Sequence, residues 1–330
     1  MSIAAAPDRL VRKDDVVAQI DALEAAGGEG TLRTSRTARL HVSSLGKIYF
    51  PAAGITKGDL MRYYAEVAPV LLPVLRDRPL ILKRYPDGIT GQHFFQQNAG
   101  PHVPSSVRVA EVDTGEGDRA QRIVGGDLTT LLYLVQLGTI AVHAWQSRLQ
   151  TVQFADYSTI DLDPGEGVPF SRVVQLARAI KRDLDGLGLH AALKTSGSRG
   201  LHIVLPVAPR TTYERSAALA EMLAARAAAA EPRLATLERR LDERPAGTIY
   251  VDAQQNARGK SVASAYSARE KPGATVSAPL AWEELTSSLR LERFTIRTMP
   301  ARIAKLGDLW GEAMHRKNSA RAVAGVLASA

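Results

Sequence analysis

The chain has 330 residues, with 42 Lys and Arg against 34 Asp and Glu and a formal net charge of +8 at pH 7; its pI is near 9.7. This basic excess favours a polyanionic partner, although solubility alone is another use for it. Cysteine is absent, which excludes disulfides and thiolate zinc knuckles and is compatible with a reducing cytoplasm.

Arg9, Arg12, Lys13, Asp14 and Asp15 break up the N-terminus, so no signal peptide is expected there. Val16, Ile20 and Leu23 stand at helical spacing and Gly27-Gly28 ends the pattern. That predicts a short N-terminal helical appendage and linker over residues 1–39. The body starts near Leu40 with the alternating RLHVSSLGKIYF, and Thr56 and Asp59 have capping-box spacing before an amphipathic helix. PLILKRYP and HFFQQN read as strands around an Asp87-Gly88 turn. The apolar run over 128–145 is interrupted by Thr, Gln, Gly and His and reads as core, too broken to span a bilayer.

The central block is a strand, YSTIDLDP, then a helix that Ser171 is placed to cap and that runs through Val174, Ala177, Ile180 and Leu184 to Gly186. HAALKTS, the turn GSRG and the strand LHIVLP follow. An Ala-rich helix starts at Thr211 with Glu214 as a capping-box partner, Pro232 interrupts it, and TIYVD delivers Asp252. Beyond about residue 310 an Ala-rich, basic tail reads as either a docking helix or a disordered end. Strands joined by hairpins and alternating with helices predict a mixed α/β fold rather than a purely parallel sheet.

Three carboxylates, Asp161, Asp163 and Asp252, fall at strand ends. Asp161 and Asp163 are two apart on a strand, so they share a face at roughly 6–7 Å spacing. Carboxylates that close repel unless a cation or a proton lies between them. Such a set suits Mg²⁺ or Mn²⁺ in two-metal phosphoryl transfer, but the pair alone also fits nucleases, glycosyltransferases or a solvated strand end. In KTSGSRGLH, Gly197 and Gly200 let backbone amides approach an anion, and Ser196, Arg199 and His202 add donors. His202 lies off the apolar face of Leu201, Ile203 and Leu205, with a satisfied core histidine as the alternative.

These stretches, DLDP, TSGSRGLH and VDAQQNARGKSVASAYSAR, resemble the three catalytic motifs of the archaeo-eukaryotic primase superfamily. More narrowly, the chain resembles the polymerase domain of bacterial ligase D and its stand-alone relatives, from about Leu40 to Trp310, through LGKIYFPAAGITKGDLMRYY, RPLILKRYPDG, FFQQN, RPAGTIYVD and FTIRTMPARI. The resemblance implies a primase-like α/β catalytic core over residues 40–310, with mixed sheets flanked by helices, and a C-terminal tail over 311–330. It implies metal on Asp161, Asp163 and Asp252, and a nucleoside triphosphate meeting Ser196, Arg199, His202 and Arg269, with Lys83 and Gln255 close by. It also puts His143 near the nucleotide sugar and the primer terminus. Phe94 and Phe95 would stack on the template, although adjacent strand residues face opposite ways and one of them could fill a core. Lys47 and Lys57 would hold a downstream 5′-phosphate beside a helix start. Each has a plainer reading: Lys83 as a strand edge, Gln255 as a turn residue, Arg269, Lys47 and Lys57 as solvated cations.

The chain departs from the family pattern at Ala144 and Gln146, at Ser264-Ala265, and at Arg199, where many relatives have Lys. The arginine on the approach to Asp252 is either Arg244 or missing by one register. The activity implied is DNA-templated nucleotidyl transfer that extends primers and fills gaps in break repair, with ribonucleotides preferred and Mn²⁺ or Mg²⁺, not zinc, as cofactor. The implied partners are gapped or broken 5′-phosphorylated DNA, nucleoside triphosphates, Ku and a separate ligase, in the nucleoid-associated cytoplasm of a bacterium and away from membranes. A primase that starts chains de novo is the rival enzyme reading, and a DNA-end-binding scaffold the non-enzymatic one. No Lys-x-Asp-Gly motif of a ligase occurs.

Overall fold

The computed structural model describes residues 12–115 and 117–328; the charges read at Arg9 and upstream lie outside them. Helix α1 (Lys13–Ala25) buries Val16 and Ile20 against the body, and the β1–β2 hairpin (Gly30–Arg33, Arg39–Val42) follows. Arg62 pins α1 in place, pairing with Asp21 at 2.8 Å and with Glu24. Strands β3 (Ile48–Phe50) and β4 (Ile55–Thr56) lead into α2 (Lys57–Leu75), whose start is the Thr56–Asp59 capping box expected from the spacing.

Strands β5 (Leu80–Arg84) and β6 (Phe94–Gln96), the hairpin β7–β8 (Val109–Asp113, Arg119–Ile123), helix α3 (Leu128–Gln136) and β9 (Thr139–Ala144) come next. β5 is the centre of a three-stranded sheet in the order β6-β5-β9, which leaves β6 as an edge. The rest of the chain builds β10 (Tyr157–Pro164), α4 (Phe170–Gly186), β11 (Ala192–Thr195), β12 (Leu201–Pro206), α5 (Tyr213–Ala230), β13 (Ala235–Thr236), β14 (Ile249–Asp252), β15 (Pro279–Leu280), α6 (Met299–Leu306), α7 (Leu309–His315) and α8 (Ala320–Ala328). Six of these strands form one sheet in the order β13-β14-β10-β12-β11-β15. Only the short β13–β14 contact is parallel. The expected mixed α/β architecture is what forms.

Period-2 alternation sorts this sheet into two chemistries. Ile160, Leu162, Leu201, Ile203 and Leu205 are fully buried, with Val173, Leu176, Ala177 and Leu184 of α4 in the same core. On that side Ser158 donates to the Ser216 carbonyl of α5 at 2.9 Å. The other side carries Asp161, Asp163, His202 and Lys194. Strand β9 of the smaller sheet meets the segment between β14 and β15: His143 bridges Ala263, and Val142 N–H donates to Ser267 Oγ at 2.8 Å.

Two caps differ from expectation. Pro169, not Ser171, precedes α4, and no side chain caps it. α5 is capped by Thr212, not Thr211: the Thr212 hydroxyl accepts from Arg215 N–H at 3.3 Å, while the Thr211 hydroxyl donates to the Ala208 carbonyl at 2.8 Å. Beyond residue 310, α8 packs on α5 and buries Val323 and Val326, so the residues through 328 are a docked helix rather than a disordered end.

Candidate active site

Strand register builds the centre of the site. Asp252 on β14 stands opposite Asp161 on β10, Asp161 opposite His202 on β12, and His202 opposite Lys194 on β11. Four neighbouring strands thus place Asp252, Asp161, His202 and Lys194 in one row across one face, with strands about 4.8 Å apart. Asp163 follows on the same face, opposite Tyr250.

Burial pushes the Asp161 carboxyl up to about 7, helped by the charges of Asp163 and Asp252. A divalent cation or a proton relieves that repulsion, and an all-oxygen donor set suits Mg²⁺ or Mn²⁺. The three carboxylates therefore fit such an ion in chemistry. As they stand, however, no three described His, Cys, Asp or Glu side chains converge at metal-ligand spacing. Asp163 is engaged instead by Arg244, at 3.0 Å, and Arg244 also lies 4.6 Å from the centre of the Tyr250 ring. Arg244, the arginine on the approach to Asp252, thus reaches Asp163.

His202 is buried but not idle. Lys194 Nζ lies 2.5 Å from its Nδ1, and Nε2 faces Asp161 Oδ1 at 3.4 Å. The Lys194 ammonium has two further acceptors, the Ala263 carbonyl at 2.9 Å and Ser277 Oγ at 2.7 Å. Burial, then the Arg269 charge, hold the Lys194 pKa well below its ordinary value, with Asp161 opposing; in the charged form its three donors meet three acceptors, so Nδ1 accepts and the ring proton sits on Nε2, toward the carboxylate. Burial, then the Lys194 charge, hold the His202 pKa well below its ordinary value. Lys194 carried no weight in the sequence; a lysine amid the apolar residues of a strand was its one signal.

The turn after β11 is shaped by its glycines. Gly197 has φ +71°, and a Cβ on Gly200 would overlap the Leu162 carbonyl oxygen, so neither position accepts another residue without displacing backbone. Ser196 Oγ accepts from Ser198 and Gly200 N–H, both at 3.1 Å, leaving its own proton free to donate. Arg269 donates to the Ser196 carbonyl. Arg199 is exposed, with no ion pair or hydrogen bond on its guanidinium among the described residues.

Gln255 Nε2 donates to Asp252 Oδ2 at 3.2 Å. Lys83 pairs with Glu270 at 3.1 Å, so it is not a bare strand-edge cation. Although burial opposes it, Arg269, a backbone N–H and Lys83 bring the Glu270 pKa down to about 2. Glu270 was not singled out in the sequence. His143 is half-buried, and burial, then Arg269, lower its pKa to about 4, so it is neutral at pH 7.

Phe94 and Phe95 are 47% and 64% exposed, which corrects the expectation that one of them could fill a core. Both faces of the edge strand β6 are open here. Arg84 lies over the Phe94 ring at 5.1 Å and Lys83 over Phe95 at 5.8 Å, consistent with opposite faces.

Lys47 and Lys57 form a separate group at the base of the β3–β4 hairpin. Lys47 pairs with Asp87 at 2.6 Å; Lys57 is buried and donates to the Ser43 carbonyl at 2.9 Å. Burial, then Lys47, bring the Lys57 pKa down to about 8. The amides that begin α2 are already taken: Lys57 N–H by Lys47 O, Gly58 N–H by Leu45 O, and Asp59 N–H by Thr56 Oγ1. An anion there would be met by ammonium groups, not by free backbone N–H.

With this geometry described, comparison with known proteins is direct. The family model for the LigD primase-polymerase domain matches residues 56–310. The chain is 35% identical over 270 residues to the bifunctional non-homologous end joining protein LigD of Bacillus subtilis, covering 82% of this chain and 43% of that protein. It is 32% identical over 280 residues to the multifunctional non-homologous end joining protein LigD of Pseudomonas aeruginosa, covering 84% of this chain and 33% of that one. It therefore spans less than half the length of these relatives. Among solved structures it is similar to the polymerase domain of Mycobacterium tuberculosis ligase D in complex with DNA, with a TM-score of 0.78 and 31% identity over 85% of this chain and 99% of that one. Fold and site together define a DNA-directed nucleotidyltransferase. The chain belongs to the LigD primase-polymerase domain family. No helix among the described residues is long and apolar enough to cross a membrane.

Proposed function

We propose that the chain extends primer 3′-ends and fills gaps on broken or gapped DNA carrying a downstream 5′-phosphate, by two-metal phosphoryl transfer with ribonucleotides preferred. The observation that carries this reading is the Asp252–Asp161–His202–Lys194 row beside the Ser196–Gly200 turn.

Asp161, Asp163 and Asp252 would hold Mn²⁺ or Mg²⁺, which when bound supplies charge neutralisation at the triphosphate and lowers the pKa of the attacking 3′-hydroxyl. Asp163 must exchange Arg244 for that role. The Nε2–H of His202, the Ser196 hydroxyl and the free Arg199 guanidinium then offer donors to triphosphate oxygens, each charge-assisted contact contributing roughly 1.5–3 kcal/mol. Arg269, tied to the Ser196 carbonyl, adds positive charge to the same wall. Lys83 and Gln255 line the approach to the nucleotide, and neutral His143 would meet its sugar and the primer terminus. Phe94 and Phe95 offer exposed rings for template bases. The ribonucleotide preference rests on the family resemblance alone.

The 5′-phosphate would sit between Lys47 and Lys57, where burial and the Lys47 charge depress Lys57 and an anion relieves it. Ku and a separate ligase are the partners proposed from the family resemblance; the relatives' names supply only non-homologous end joining. The test is equilibrium binding to gapped DNA at low salt. Wild-type protein should bind the 5′-phosphorylated gap more tightly than the 5′-hydroxyl gap, and Lys47→Ala or Lys57→Ala should erase the difference. Equal affinity of the wild type for the two ends sinks this part of the reading and favours de novo priming.

A further inference from the structure

A second cavity opens on the polar face of the six-stranded sheet, on the far side of Lys194 from the carboxylates. Its volume is about 490 Å³, and it lies between the end of α2, the sheet and α7. That volume is within the roughly 300–1,000 Å³ of small-molecule sites. None of Asp161, Asp163, Asp252, Ser196 or Arg199 lines it, so it is not the catalytic cleft. Lys194 alone is common to both, its stem forming cavity wall while its ammonium holds His202.

The lining has two chemistries. Val74, Val204, Trp310 and Met314 supply an apolar wall with one indole, whereas Arg76, Arg148, His315 and Lys317 bring cationic or titratable groups. The two carboxylates present are committed elsewhere. Asp156 pairs with Arg78 at 2.6 Å and is shared by Arg148 at 3.3 Å. Asp308 accepts from Tyr266 Oη at 2.7 Å and from Gly311 N–H at 3.0 Å as the cap of α7. Arg76 and Lys317 are exposed and have no ion pair among the described residues. His315 directs Nδ1 at the Gly311 carbonyl, 2.5 Å away, which leaves Nε2 for another partner. A cavity with an aromatic wall and a surplus of positive charge in its lining selects a flat ring that carries an anion.

We propose that this cavity binds a nucleoside 5′-monophosphate group, base against Trp310 and Met314 and phosphate among Arg76, Arg148 and Lys317. The group can come from free nucleotide or from the 5′-terminal nucleotide of a strand. Through Lys194, filling the cavity bears on the side chain that fixes His202.

The test is equilibrium dialysis of the full chain in EDTA, with AMP, adenosine and a 5′-phosphorylated tetranucleotide as separate probes. AMP should bind saturably, one per chain, and more tightly than adenosine. The double variant Arg76→Glu/Lys317→Glu should weaken AMP binding by about tenfold or more, two lost charge-assisted contacts. Both positions are exposed, so melting temperature and primer extension without AMP should stay at wild-type values. Tighter binding of AMP than of the tetranucleotide identifies free nucleotide as the source; the reverse order, kept in Lys47→Ala/Lys57→Ala and lost in Arg76→Glu/Lys317→Glu, identifies a strand end. Absence of saturable AMP binding, adenosine binding as tightly as AMP, or equal binding by the double variant overturns the proposal.

Discussion

Lys194 Nζ stands 2.5 Å from Nδ1 of His202, while Nε2 of the same ring faces Asp161 at 3.4 Å. In its charged form this buried lysine holds the ring proton of the histidine on Nε2, next to the carboxylates. Replacing it by a methionine of similar length removes the lock without leaving a buried charge. Lys194→Met should lower nucleotide addition by about tenfold to a hundredfold and move the ring proton of His202 between its nitrogens, as read from ¹⁵N shifts. Unchanged ¹⁵N shifts and activity would show that Lys194 only fills space.

The exposed pair on β6 makes a sharper case than the sequence allowed. Burying a phenylalanine is worth about 3–5 kcal/mol on truncation, but Phe94 and Phe95 are largely in solvent. Each Phe→Ala variant should melt within about 1 kcal/mol of wild type. Templated extension should fall by an amount that reflects about 1–3 kcal/mol of lost stacking on a base. Melting and extension measured on the same two proteins check both halves.

Lys57 gives a pH dependence with a definite sign. Its folded pKa, about 8, lies below the ordinary 10.5, so the buried ammonium's cost to folding is fully present below pH 8 and eases as pH rises toward 10.5. A bound phosphate interacts with the charged form. The preference for a 5′-phosphorylated gap should therefore be strongest below pH 8 and decline as pH passes through it. Lys57→Met should abolish that decline; binding titrations from pH 6.5 to 9.5 read it. Because the contact is electrostatic, the preference should also shrink with added salt.

What the sequence revealed and what it hid follow one physical division. Asp161, Asp163 and the apolar set Leu201, Ile203, Leu205 were legible because strand alternation is local, and the Thr56–Asp59 cap because it spans one turn. The juxtaposition of Asp252, Asp161, His202 and Lys194 depends on the register of four strands drawn from residues 157–252, and no local pattern encodes it. The same holds for the pairing of Arg244 with Asp163 and of Lys83 with Glu270, partners 81 and 187 residues apart. Phe94 and Phe95 escaped the alternation rule because β6 is an edge strand in the three-stranded sheet, with neither face covered over them. The helix start beside Lys57 was legible, but not that the Lys47 and Leu45 carbonyls accept from its Lys57 and Gly58 amides.

The central claim is that the strand-end carboxylates carry nucleotidyl transfer. Extension of a labelled primer on gapped, 5′-phosphorylated DNA, with Mn²⁺ and each nucleotide pool in turn, measures it directly. Wild-type protein should add templated nucleotides, most readily ribonucleotides. Asp161→Asn and Asp252→Asn should add none while binding the same DNA with nearly wild-type affinity, since the proposed 5′-phosphate contacts, Lys47 and Lys57, form a separate group. Extension at near wild-type rates by either variant would contradict the account.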